Sequence, residues 1–229
     1  MRAKEGSAAL NLSNPIHAVI PTLDGEVLTV LARTIKPLSG SRIAALLARG
    51  SYPGARLVLA RLVDEGLVNV EQVGAALLYT ANRSHILWPP IESLAHAADQ
   101  MKRELYDRIS GLVASVLGQD QADHVSVAVF GSVARGTSDQ NSDIDLVIVV
   151  PDDMDTETGA QLLDSMAVEV RSWTGNDCNI YSLTDSDLSR LVTERDPMIN
   201  SWQHDAVAIH GPVIHFRMAA AAEASRMAH

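Results

Sequence analysis

Hydrophobic residues recur at helical spacing over Leu23 to Arg33 and again over Ser41 to Arg49, where Ile43, Leu46 and Leu47 share one face. A third helix is predicted after Tyr52-Pro53: Pro53 falls where a missing N–H is harmless, and Ala55, Leu59, Leu62 and Val63 make an apolar stripe that Gly66 ends. The period then changes to two. Leu67 to Val73 alternates, Gly74 turns the chain and Ala75 to Thr80 returns, which predicts a β-hairpin.

At Trp88-Pro89-Pro90 two prolines deny backbone donors, and the sequence predicts an extended or turning segment and a domain boundary there. Beyond it, Leu94, Met101, Leu105, Ile109, Leu112 and Val116 form a helical stripe within Ile91 to Leu117, suited either to linking two domains or to pairing with its own copy. Strand and helix signals then alternate: strands over His124 to Phe130, Asp143 to Val150 and Cys178 to Leu183, and a helix over Thr158 to Trp173. Such alternation implies an α/β domain. The expected division is residues 1–88, a linker helix at 89–118, an α/β domain at 119–215 and a frayed helical tail at 216–229, so the chain is α+β overall.

Composition changes this picture little: 47% hydrophobic and 20% charged residues over 229 positions suit an ordinary globular chain of one or two domains. No apolar run approaches the ~20 residues that cross a bilayer, and Met1 to Asn14 lacks an apolar signal core. A cytoplasmic protein with no membrane partner is the expectation. The single cysteine, Cys178, excludes an internal disulfide and a cysteine-based zinc site, and only His210 and His215 among the eight histidines lie close, at a spacing that suits neither helix nor strand. The net charge of −10 is uneven: nine Lys/Arg stand against six Asp/Glu up to residue 88, and nine against 22 after it. The front part is able to approach nucleic acid, whereas the back part repels it unless cations intervene.

The sharpest local feature runs from Phe130 to Leu146. An apolar strand delivers the chain to Gly131, which permits a tight turn, and the free N–H groups of a helix starting at Ser132 attract phosphate oxygens. Ser132 adds a hydroxyl and Arg135 a charged donor, which together match a nucleoside triphosphate. Strand periodicity puts Asp143 and Asp145 on one face beside Val147 and Val149, with Ile144, Leu146 and Ile148 behind. Two adjacent carboxylates repel, and Mg²⁺ bridging to substrate phosphates resolves the repulsion. A Gly-Ser turn alone means little, and an Asp-x-Asp strand is equally a polar edge; the conjunction carries the inference. The P-loop and dinucleotide-binding glycine motifs are absent from the sequence.

That conjunction resembles the DNA polymerase beta-like nucleotidyltransferase superfamily, which implies an α/β nucleotidyltransferase fold with a mixed sheet. The resemblance implies that Asp143 and Asp145 ligate Mg²⁺, that Gly131, Ser132 and Arg135 hold the triphosphate, and that an acceptor hydroxyl attacks the α-phosphate. Active members add a third carboxylate on a later strand. Alignment of Asp177 to Leu183 places Asn179 there, a neutral ligand and no general base, with Asp177 two residues earlier as a substitute catalytic carboxylate. The order of the first elements, with the phrase Arg61-Leu-Val-Asp-Glu-Gly-Leu-Val68, resembles a winged helix-turn-helix domain of the MarR/ArsR type. That implies double-stranded DNA as a partner, read by Arg42, Arg49, Tyr52, Arg56 and Arg61, although the hairpin tip carries no cation and a solvated helix face or a docking module is the bland alternative. Arg171-Ser-Trp-Thr-Gly-Asn176 and Asp205-Ala-Val-Ala-Ile-His-Gly211 further resemble bacterial regulators with a nucleotidyltransferase domain. The expected function is a DNA-binding protein, a homodimer if it reads two half-sites, whose second domain binds Mg–nucleoside triphosphate and transfers a nucleotidyl group. Two alternatives stay open: a regulator that keeps the fold as scaffold or sensor, and a toxin-like or small-molecule-modifying transferase.

Overall fold

The computed structural model describes residues 9–48 and 50–227, which form two compact units: Asn14–Met101, and residues 102–227 together with 9–13. In the first unit a 3₁₀ turn, Pro15–Ala18, precedes α1 (Leu23–Ala32) and the two-residue strand β1 (Leu38–Ser39), which leads into α2 (Gly40–Leu46) and α3 (Tyr52–Asp64). Ser39 and Ser51 cap α2 and α3, their hydroxyls accepting the N–H groups of Arg42 and Gly54. Of the expected stripe of α3, Ala55, Leu59 and Leu62 are buried and Val63 partly so, with Leu59 and Leu62 packed among Val27, Leu31 and Ile43. Arg49, one of the expected DNA-facing cations, lies outside the described residues.

β2 (Val68–Val73) and β3 (Ala76–Ala81) form the predicted hairpin, Val73 pairing with Ala76 around the turn, and β1 adds a third antiparallel strand on the far side of β3. The alternation in β2 yields one buried residue, Val68; Val70 is exposed, although its register partner Tyr79 belongs to the core. The carboxylate of the buried Glu26 accepts hydrogen bonds from Asn14 Nδ2 and the Ala48 N–H, which ties the segment before α1 and the end of α2 to one side chain.

The expected turn at Trp88-Pro89-Pro90 is corrected: these residues are the first turn of α4 (Trp88–Leu117), where proline gives up no intrahelical hydrogen bond and its fixed φ suits the helix. The division between the units, between residues 101 and 102, falls within this helix. In the part of α4 that belongs to the second unit the buried positions are Leu105, Ile109, Val113 and Leu117, spaced by four residues, while Leu112 and Val116 flank the stripe.

The second unit continues with α5 (Gln119–Ala122), β4 (Ser126–Phe130), α6 (Gly131–Arg135), β5 (Ile144–Val150), α7 (Thr156–Thr174), β6 (Cys178–Thr184), α8 (Asp185–Glu194), α9 (Pro197–Asp205), β7 (Val207–His210) and α10 (Ile214–Met227). Its four strands lie in the order β6-β5-β4-β7; β5 and β6 run parallel and the other pairs antiparallel, so the sheet is mixed. A parallel pair needs a long crossover, which α7 supplies. One sheet face, with Ala128, Phe130, Val147 and Val149, packs under Leu188, Ile199, Trp202, Ile214 and Met218 from α8, α9 and α10. Alternation sends Ile144, Leu146 and Ile148 to the other face, as the sequence predicts. The supposed tail is therefore partly core: α10 begins at Ile214 and anchors Ile214 and Met218, and the helix is described as far as Met227.

Candidate functional site

The strand register brings the chemistry together. Phe130, the last residue of β4, pairs with Asp145 on β5, and Asp145 pairs on its other side with Asn179 on β6. Gly131 follows with φ +72°, and a β-carbon there would lie 2.6 Å from Asp145 Oδ2. The bare glycine thus does two things at once: it adopts a left-handed turn and leaves room for a carboxylate against the turn's backbone. Asp143, exposed just ahead of β5, joins the same cluster. Asn179 Nδ2 donates to both Asp143 Oδ2 and Asp145 Oδ1 at 3.1 Å, so one side-chain amide spans the two carboxylates. Its partial positive charge offsets part of their mutual repulsion.

The loop between α6 and β5 is held by short-range polar bonds. Asp139 Oδ1 accepts from the Asn141 N–H at 2.8 Å and from Ser142 Oγ, and these bonds hold its carboxyl below the ordinary aspartate value. The buried Asn176 donates from Nδ2 to the Ser142 and Leu10 carbonyls and accepts the Leu10 N–H at 3.0 Å, which fixes residues 9–13 beside the ends of β5 and β6. Ser13 and Ser138 share a hydroxyl–hydroxyl bond of 2.8 Å nearby. Lys102 Nζ donates to the Val133 carbonyl at 3.0 Å and supports α6.

The remaining expected site residues stand as follows. Ser132 is half-buried at the start of α6, one residue after Gly131. Arg135 closes α6 and pairs with Asp205 at the end of α9, whose second carboxylate oxygen is buried and has no hydrogen-bond partner among the described residues. Asp177 sits just before β6 and is engaged by Arg171 at 2.6 Å, while the position between the two aspartates belongs to Asn179. Among the described residues no three or more His, Cys, Asp or Glu side chains converge as metal ligands. The donor set is therefore two carboxylates and one amide, all hard oxygen ligands once the Asn179 amide presents its oxygen. Such a set suits Mg²⁺, which keeps open positions for waters and substrate phosphates. Cys178 neighbours the cluster as a neutral thiol, pushed up to about 12 by burial and the charge of Asp145.

In the first unit Arg42, Tyr52 and Arg56 are exposed. Tyr52 and Arg56 open with Ser39, Ser41 and the hairpin residue Leu77 onto a cavity of about 270 Å³. Arg61 differs, being bound to Asp24 and Glu65. Periodicity pointed to none of Lys102, Asn176, Leu10 or the Arg135–Asp205 pair, since each acts through a contact distant in sequence.

Residues 113–185 match the family model described as a nucleotidyltransferase domain, a span that contains the Gly131 turn, both aspartates and Asn179. Among solved structures, a mutant of the toxin–antitoxin MntA–HpeT is 16% identical, covering 53% of this chain and 87% of that chain, with a TM-score of 0.36. A toxin–antitoxin structure with AMP-PNP is 17% identical over 52% of this chain and 87% of that one, with a TM-score of 0.31. The archaeal chromatin protein TrmBL2 is 17% identical over 79% of this chain and 71% of that one, with a TM-score of 0.24. Among the described residues no helix is long and apolar enough to cross a membrane. The paired aspartates and the glycine turn beside them thus lie within the stretch, residues 113–185, that matches the nucleotidyltransferase domain model.

Proposed function

We propose that the protein binds a Mg²⁺–nucleoside triphosphate and transfers its nucleotidyl group to an acceptor hydroxyl. The observation that carries this reading is the placement of both aspartates within reach of one Asn179 amide, with Asp145 lying against Gly131. Asp143 and Asp145, with Asn179 as a neutral third ligand, hold the metal; Gly131 and Ser132 receive phosphate oxygens. Arg135 is the cation nearest the turn in sequence, and reaching a phosphate requires it to leave or share Asp205. The acceptor oxygen bonds to the α-phosphorus, the bond to the β-phosphate oxygen breaks, and pyrophosphate departs. Bound Mg²⁺ stabilises the charge that develops on the attacking and leaving oxygens.

The acceptor proton has no dedicated base at position 179. Asp177 is the carboxylate two residues before Asn179, just ahead of β6, and in our reading it takes that role when it exchanges out of its pair with Arg171. Loss of a positioned base lowers rates by ~10²–10⁴. Asn179 therefore also favours a second reading, in which the domain senses nucleotide and turns over slowly or not at all. Incubation with Mg²⁺, labelled nucleoside triphosphates and cell extract tests transfer: a labelled product that disappears in Asp143→Ala supports it, and no product with the wild-type protein leaves the sensor reading.

For the first unit we propose a winged helix-turn-helix that binds double-stranded DNA through α3 and the hairpin, in a cytoplasmic homodimer reading two half-sites. The exposed Arg42, Tyr52 and Arg56 support it. Arg61, occupied by two carboxylates, is the weakest of the candidates. Arg56→Ala is expected to weaken DNA binding and to lower the salt slope by ~1, whereas Arg61→Ala leaves the slope unchanged. Titrations of duplex DNA at several salt concentrations measure both; equal slopes for wild type and Arg56→Ala contradict the assignment.

A further inference from the structure

Three aromatic rings meet beside the paired aspartates, and one of them is open. Strand alternation puts Tyr181 on the face that carries Asn179, two residues before it, and Tyr181 pairs in register with Val147, two residues beyond Asp145. Its ring lies edge-to-face with Phe130 at 6.2 Å and with Trp202 at 6.2 Å, and those two rings meet each other at 6.1 Å. Phe130 and Trp202 are buried, while Tyr181 is 49% exposed. Because β6 is an edge strand, no neighbouring strand among the described residues covers that side of the ring. Phe130 also leads directly into Gly131, so the braced aromatic surface adjoins the phosphate-binding turn as well as the carboxylates.

We propose that Tyr181 is the platform on which the base of the bound nucleoside triphosphate stacks, and that it favours purines. The assignment rests on the nucleotidyltransferase reading above and adds to it the chemical class of the ligand's far end. The packing of Phe130 and Trp202 holds the ring in place before the ligand arrives, so little side-chain freedom is lost on binding. Stacking tolerates any base but strengthens with the size of the π-face, and removing such a platform reduces affinity by about tenfold or more.

The test is calorimetric titration, in the presence of Mg²⁺, of ATP, CTP and inorganic tripolyphosphate into wild type, Tyr181→Phe and Tyr181→Thr. Threonine keeps the strand propensity while removing the ring. ATP is expected to bind wild type more tightly than CTP, to hold within about twofold in Tyr181→Phe, and to weaken about tenfold in Tyr181→Thr. Tripolyphosphate, which has no base, is expected to bind all three alike. ATP affinity unchanged in Tyr181→Thr overturns the proposal, as does a parallel fall for ATP and tripolyphosphate, which would make the ring part of the site's packing only. Failure of the wild-type protein to bind either ATP or tripolyphosphate overturns instead the reading on which the proposal rests, and the proposal with it.

Discussion

Asn179→Asp is expected to make the fold depend on magnesium and to raise nucleotidyl transfer. In the wild-type protein Asn179 Nδ2 supplies a hydrogen bond to each of Asp143 and Asp145. A carboxylate at the same place removes both donors and adds a third negative charge to the cluster. Without a cation the variant is expected to lose roughly 1–3 kcal/mol, the range for groups left without hydrogen-bond partners. Added Mg²⁺ binds only the folded state and restores stability in proportion to its saturation. If the rest of the machinery is intact, the restored base raises the transfer rate by up to ~10²–10⁴. Thermal melts in EDTA and in Mg²⁺, with the labelled transfer assay, measure these effects. A variant as stable as wild type in EDTA, and no faster in Mg²⁺, would contradict the assignment of Asn179 to the metal cluster.

The second large effect is expected for Gly131→Ala. A residue with a side chain at φ +72° costs roughly 1–2 kcal/mol in backbone conformation alone. Here the new methyl group would also lie 2.6 Å from Asp145 Oδ2, so either the turn or the carboxylate must move. Gly118 provides a steric comparison: its φ is also positive, +74° with ψ 156°, yet a β-carbon there meets nothing within 4 Å among the described residues. Both Gly118→Ala and Gly131→Ala should lose stability through the backbone, and only the second should impair the site. The expected result is a lower melting temperature in each variant and a fall in Mg–ATP affinity confined to Gly131→Ala. Equal nucleotide affinities in the two variants would separate the glycine turn from the site.

Much of this site was readable in the sequence because its parts are local. The β-branched run Ile144 to Val150 fixes a strand, period two puts Asp143 and Asp145 together, and the apolar strand ending at Phe130 announces the Gly131 turn. The alignment that put Asn179 in place of a third carboxylate agrees with its position against Asp145, although composition gave no sign that its amide would bridge the pair. Asp177 shows the limit of the periodicity rule: it precedes the strand by one residue, and the nearby Arg171 determines where its carboxylate goes. The prolines at 89 and 90 misled for a different reason, since proline is as much at home in a helix's first turn as in an extended segment, and only the residues after it decide. The docking of Leu10 onto Asn176 spans 166 positions and leaves no periodic trace. β1 is two residues long and exists only because β3 offers it an edge.

The central claim is that Asp143 and Asp145 hold a divalent metal for a triphosphate bound at the Gly131 turn. Calorimetric titration of ATP into the wild-type protein and into Asp143→Asn/Asp145→Asn, each with Mg²⁺ and with EDTA, tests it most directly. The expected result is tight binding by wild type only with Mg²⁺, and a loss of ~10²-fold or more in the variant, beyond the penalty for removing even an outer-shell partner of a metal ligand. A variant that binds ATP as tightly as wild type, with the same response to Mg²⁺, would contradict the assignment.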